Sequence, residues 1–94
     1  IASGQYSHAE GWGTIASMGA QHAQGRYNIK DTENKYAHIV GNGKSDTERS
    51  NAHTLDWEGN AWFAGDIETG TGKVATKNYV DNVKDYIGSI IPKY

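Results

Sequence analysis

Residues 50–66 read SNAHTLDWEGNAWFAGD, and this stretch decides the fold. Two of the three tryptophans and the only phenylalanine fall within it. Asp56-Trp57-Glu58-Gly59 places Asp first and Gly fourth. That order suits a type I turn closed by a left-handed glycine and a bulge. The turn predicts a β-hairpin that pairs Asp56 with Asn60, Leu55 with Ala61, Thr54 with Trp62 and His53 with Phe63. Leu55, Ala61 and Phe63 then share one face, and Thr54 and Trp62 the other. A one-residue slip would exchange the faces. Trp62 and Phe63 are expected in packing, within the chain or between chains. A short hairpin is not stable alone and must find further strands or further chains.

Outward from the hairpin, the N-terminal side carries a repeat. Ser7-His8-Ala9-Glu10-Gly11 is echoed by Gln21-His22-Ala23-Gln24-Gly25, fourteen residues later. Tyr6 precedes the first copy and Ala20 the second. Recurrent glycines argue against helix, where each costs roughly 1 kcal/mol relative to alanine. The period suits one coil of a β-roll, each coil burying its inner face against the next. Residues 28–35 read as a polar loop and residues 36–41 as a strand. Asn42-Gly43 is a turn signal. Residues 44–49 read as a solvated connection, residues 68–72 as a flexible one, and residues 73–75 as a short strand. From Thr76 the period changes. Val80, Val83, Ile87 and Ile90 are spaced as one helical stripe. Thr76 suits an N-cap, Gly88 a stop, and Pro92 lies beyond. A helix is expected over about residues 77–87. The β-branched residues of the stripe favour three or more strands in a coiled coil.

Ninety-four residues make one domain at most. Three segments are expected in it: a repeat over 1–27, strand and hairpin over 28–75, and helix and tail over 76–94. Only 36% of the residues are apolar, and mean hydropathy is −0.74, a thin supply for a lone core. Yet ten aromatic residues and a net charge of −2 argue against disorder. Both observations favour a core shared between subunits. The nine basic residues are scattered, which argues against nucleic acid and anionic membranes. No apolar run approaches the ~20 residues that span a bilayer. The absence of cysteine excludes disulfides and thiolate metal sites. The chain opens at Ile1 without methionine, so a fragment or processed product is expected.

Several patterns invite chemistry and fail on spacing. His8 and His22 share a phase of the repeat, and in a three-fold assembly each could form a ring on the axis. No metal-binding spacing such as HxH or HExxH is present, and no metal or other cofactor is expected. Gly70-Thr71-Gly72-Lys73 lacks the leading glycine and the following Ser or Thr of a phosphate loop. Asp31, Glu33, Asp46 and Glu48 lie in loops without an apolar cleft and are read as solvated charge. Ser50 and His53 could serve self-cleavage, but three apart on a strand they point to opposite faces. No catalytic residue is assigned. Trp12 and Trp57 sit in turn-like contexts and are the candidates for stacking on sugar rings.

Three segments also carry a resemblance. SNAHTLDWEGNAWFAGDI resembles a segment of tail-fibre and tail-appendage proteins of phages that infect Gram-positive bacteria. SHAEGWGTIAS and QHAQG resemble the short repeats of those proteins and of trimeric autotransporter adhesin heads. KVATKNYVDN resembles a segment common in tail fibres. Together they cover most of residues 6–82. The resemblance implies a mainly β, parallel homotrimeric fibre with β-roll or β-helix-like repeats and one short C-terminal helix. It implies a receptor-binding role on the virion, with partners in the chain's own copies, a host-surface glycan or other receptor, and other tail proteins. A trimeric bacterial surface adhesin head and a self-cleaving fibre-maturation chaperone segment are the alternatives.

Overall fold

The computed structural model describes residues 1–90, with the side chains of Ser89 and Ile90 excepted. The chain is mainly β with one C-terminal helix, and it extends over 63 × 27 × 25 Å. Five strands form one mixed sheet in sequence order: β1 (His8–Ala9), β2 (His22–Arg26), β3 (Tyr36–Asn42), β4 (Asn51–Asp56) and β5 (Ala61–Phe63). The first three run parallel, and the last three are antiparallel neighbours. The sheet therefore runs through the expected division between residues 27 and 28.

The repeat has a direct structural counterpart. His8 pairs with His22 and Ala9 with Ala23, and bridges join Ala2 to Ala16 and Trp12 to Arg26. Each pair is fourteen residues apart, so one turn of chain lies upon the next. The corners repeat as well. Tyr6 and Ala20, at equivalent positions, both adopt left-handed backbone angles, with φ of 60° and 57°. That conformation costs a side-chain-bearing residue about 1–2 kcal/mol, and the stacked turns hold it. Glycine is required where the turns approach closest. A Cβ on Gly25, at φ 90°, would run into the Gly41 carbonyl oxygen, and one on Gly11 into that of Gly25.

The core is small, and much of it is polar. Ala16, Ala23 and Ile39 are fully buried, and Thr54 continues the row in which Ala23 pairs with Ile39 and Ile39 with Thr54. Around them the loops are tied by side chains. Asn28 is fully buried; its Oδ1 accepts from the Ile15 N–H, and its Nδ2 donates to the Ile15 and Ile29 carbonyls. Gln21 accepts from the Ser17 N–H and donates to Asp31 and to the Tyr36 carbonyl. Asp31, expected in solvent, is buried. It accepts from the N–H groups of Glu33, Lys35 and Tyr36. Arg49, expected in a solvated connection, reaches back to the Gly13 and Asn28 carbonyls and pairs with Asp46. Among the described residues, no buried side-chain nitrogen or oxygen lacks a partner. A polar core tolerates this only because each group is satisfied.

The hairpin forms in the register the turn dictates: His53 with Phe63, Thr54 with Trp62, Leu55 with Ala61. Gly59 lies at φ 88°, its N–H donates to the Asp56 carbonyl, and Asp56 Oδ1 accepts from the Glu58 and Asn60 N–H groups. Within this chain, however, Trp62 and Phe63 are not core, with 52% and 46% of their surface exposed. Beyond β5 the stretch expected to be flexible forms a second small hairpin, β6 (Glu68–Thr69) with β7 (Gly72–Lys73).

Helix α1 spans Lys77–Ile90. Thr76 caps it, its Oγ1 accepting from the Tyr79 N–H at 3.1 Å. The helix passes through Gly88 rather than stopping there, since a single interior glycine weakens a helix by only about 1 kcal/mol. Val80, Val83 and Ile87 are all exposed. Among the described residues α1 packs on no strand. The Ile90 side chain, expected at the end of the stripe, and Pro92, expected beyond it, lie outside what is described. No helix among the described residues is long and apolar enough to cross a membrane.

Candidate functional site

The two faces of the sheet differ in chemistry. Alternation along β1 to β5 sends His8, His22, His38, His53, Leu55 and Phe63 to one face. The opposite face carries Ala23, Ile39, Thr54 and Trp62.

On the first face the aromatic rings run in a continuous row. His8 and His22 lie 5.0 Å apart between centroids, His22 and His38 5.0 Å, and His38 and His53 5.7 Å. His53 stacks on Phe63 at 4.3 Å. The parallel register that matches His8 to His22 also matches His22 to His38, so three histidines from successive turns become neighbours. Hydrogen bonds fix their rings. His22 Nε2 is 3.1 Å from Glu10 Oε1, and His22 Nδ1 is 3.2 Å from His38 Nδ1. The hydrogen bond from His22 holds the Glu10 carboxyl below the usual range, and the His8 and His22 charges add to it. Burial, and then repulsion from the His22 and His53 charges, push His38 below the usual imidazole range.

On the other face a cleft of about 530 Å³ lies between Tyr36 and Trp62, rimmed by Lys35, Asn51, Asp56 and Asn60. It needs β3 beside β4 and the hairpin closed over Thr54. At the hairpin tip, Trp57 lines an adjoining depression of about 240 Å³ with Asn34 and Glu58, and Lys35 and Asp56 border both. The N–H and side-chain amide of Asn60 hold the Asp56 carboxyl below the usual range, and the Glu58 N–H and Lys35 add to this. An ionised acceptor, amide donors and acceptors and two flat rings can together bind a polyol.

The sequence candidates separate in space. Trp57 lines the adjoining depression and is half exposed. Trp12 lies on the first turns of chain, 67% exposed and tilted against Tyr27 at 5.5 Å. Leu55 and Gly59 sit in the hairpin as positioned by its register. Ser50 and His53 do not face one another: the Ser50 hydroxyl bonds to Asn42 Oδ1, and His53 Nδ1 donates to the Trp62 carbonyl. The Tyr36–Trp62 cleft escaped sequence reasoning because it depends on the pairing of β3 with β4, interrupted by bulges at Ala37 and Ala52. The His8-Glu10-His22 cluster escaped it because its members come from two turns of chain. The His-x-Glu spacing, which puts both side chains on one face of a strand, was the available signal.

Comparison with family models, with curated proteins and with solved structures finds no match to this chain.

Proposed function

We propose that this chain is a structural and adhesive segment of a phage tail fibre or receptor-binding protein, assembled as a parallel homotrimer. One observation carries the reading. From Ala61 to Gly88 no described side chain is buried, although the segment forms a strand, a small hairpin and a capped helix. Among the described residues, nine of the fourteen exposed large apolar ones lie there, from Trp62 to Ile87. Isolated short hairpins and short helices are marginal in water. Ordered elements that bury nothing within their own chain are supported by other chains. The Val80, Val83 and Ile87 stripe then packs about a three-fold axis, with Phe63, Ile67 and Val74 continuing the contact toward the sheet.

The fourteen-residue parallel turns support a β-roll stem under this region. They suit a trimeric surface adhesin head equally well, whereas the KVATKNYVDN segment ahead of the helix favours the fibre. Trp57 and the Tyr36–Trp62 cleft form the host-contacting surface, and a cell-surface glycan is the ligand. The role is binding and not catalysis, and the site of action is the virion tail. A glycan array probed with the purified protein tests this reading. Binding that falls in Trp57→Ala and Asn60→Ala, with assembly intact, supports it. A signal unaffected by either change, or cleavage of the bound glycans, overturns it.

A further inference from the structure

The edge of the sheet holds three ligand groups that the adhesive role does not use. His8 lies on β1, and Glu10 follows two residues later, so both project from the same face. The parallel register lays His22 of β2 beside them. Glu10 Oε1 is 3.1 Å from His22 Nε2, and Glu10 Oε2 is 3.7 Å from His8 Nε2. One donor atom from each of the three residues falls within 4.8 Å of the others. Two ligands held about 2.1 Å from a zinc ion at the tetrahedral angle are themselves about 3.4 Å apart. The two observed separations bracket that spacing.

We propose that His8, Glu10 and His22 bind one divalent transition-metal ion of the zinc class, leaving a fourth position for water or a donor from outside the chain. Two imidazoles and one carboxylate suit zinc, copper or nickel. They do not suit calcium or magnesium, which take oxygen ligands in six-fold or higher coordination. The surroundings orient the central ligand. A His22 that binds metal through Nε2 carries its proton on Nδ1, and His38 Nδ1, 3.2 Å away, is placed to accept it. A partner on the second nitrogen is what fixes the tautomer and ring plane of most metal-bound histidines. All three ligands are solvent-accessible, so an ion can enter without the fold opening. The bound ion would clip the first turn of chain to the second, where β1 contributes only two residues to the sheet edge.

Titration calorimetry with zinc chloride tests this on the full chain, free of any affinity tag and stripped with chelator. One zinc per chain is expected, with no heat from magnesium. Affinity should fall by about tenfold or more in His8→Ala, His22→Ala and Glu10→Gln, and by a similar factor in His38→Phe through loss of the orienting bond. His53→Ala, in the same row but away from the ligands, should bind as the unmodified chain does. Glu10 is exposed, so Glu10→Gln keeps the fold, and a far-UV spectrum checks that it has. The count is per chain and does not depend on assembly. Unchanged affinity in Glu10→Gln, a stoichiometry other than one, or equal loss in His53→Ala would overturn the proposal and leave Glu10 only an ion-pair partner of the histidines.

Discussion

Asp31→Ala is the most informative single change to the sheet region. The carboxylate accepts four hydrogen bonds: from Gln21 Nε2 at 2.9 Å, Glu33 N at 3.0 Å, Lys35 N at 2.8 Å and Tyr36 N at 3.0 Å. Only 5% of the residue is exposed, and Gln21 is 1% exposed. A hydrogen bond to a charged group contributes about 1.5–3 kcal/mol. Glu33 and Lys35 are exposed, so their N–H groups can turn to water when the carboxylate is removed. Gln21 and Tyr36 have less access to it. Two such losses amount to about 3–6 kcal/mol. That is a large part of the roughly 5–15 kcal/mol that holds a typical domain together.

A pH dependence follows from the same contacts. Burial by itself would raise the Asp31 pKa, but the N–H groups of Tyr36, Glu33 and Lys35 and the Gln21 amide outweigh it and hold the group below the usual carboxylate range. The folded chain therefore binds fewer protons than the unfolded chain near pH 4. The Asp31 contribution is fully present above the unfolded value of about 3.9 and is lost as pH falls through the lower folded value. Urea unfolding followed by tryptophan fluorescence, at fixed chain concentration, measures both effects. Asp31→Ala should lower the midpoint sharply at pH 7, and the difference from the unmodified chain should shrink below pH 4. A loss under about 1 kcal/mol at pH 7, or a difference that grows on acidification, would show that the carboxylate does not tie the loops together.

Gly25→Ala should prevent the turns of chain from stacking, since its Cβ meets the Gly41 backbone. Gly59→Ala, with open space around it, should cost only the strain of its left-handed backbone, about 1–2 kcal/mol. Thermal melts of the two variants separate them, and equal losses would contradict the close approach. Phe63→Ala should cost about 3–5 kcal/mol if another chain covers the ring. It should cost nearer 1 kcal/mol if the ring only stacks on His53. Thr76→Ala removes the helix cap and should weaken the helix by about 1 kcal/mol, read as lost ellipticity at low chain concentration.

The elements most legible in the sequence were those governed by local chemistry. The Asp56–Gly59 turn fixes the hairpin register because Asp56 satisfies the turn's own N–H groups. The Thr76 cap and the 3-4-3 apolar spacing locate the helix for the same kind of reason. The fourteen-residue repeat located the parallel stacking, because a shared phase becomes a shared row. What was not legible depends on contacts between distant residues. Asp31 looks like loop charge until Gln21 and Tyr36 are seen to converge on it. Arg49 looks solvated until Gly13 and Asn28 present their carbonyls to it. Trp62 and Phe63 have core composition, yet among the described residues nothing buries them. Their exposure is a property of the isolated chain that no hairpin pattern can reveal. Gly88 fails as a stop because one glycine does not outweigh the helical turns that precede it.

The central claim is that residues 61–88 are ordered by other copies of the chain. Size-exclusion chromatography with multi-angle light scattering on the purified 94-residue chain tests it most directly. The expected result is one species at three times the 10.2 kDa chain mass, with tryptophan emission of a folded protein. A single folded species at 10.2 kDa would contradict it.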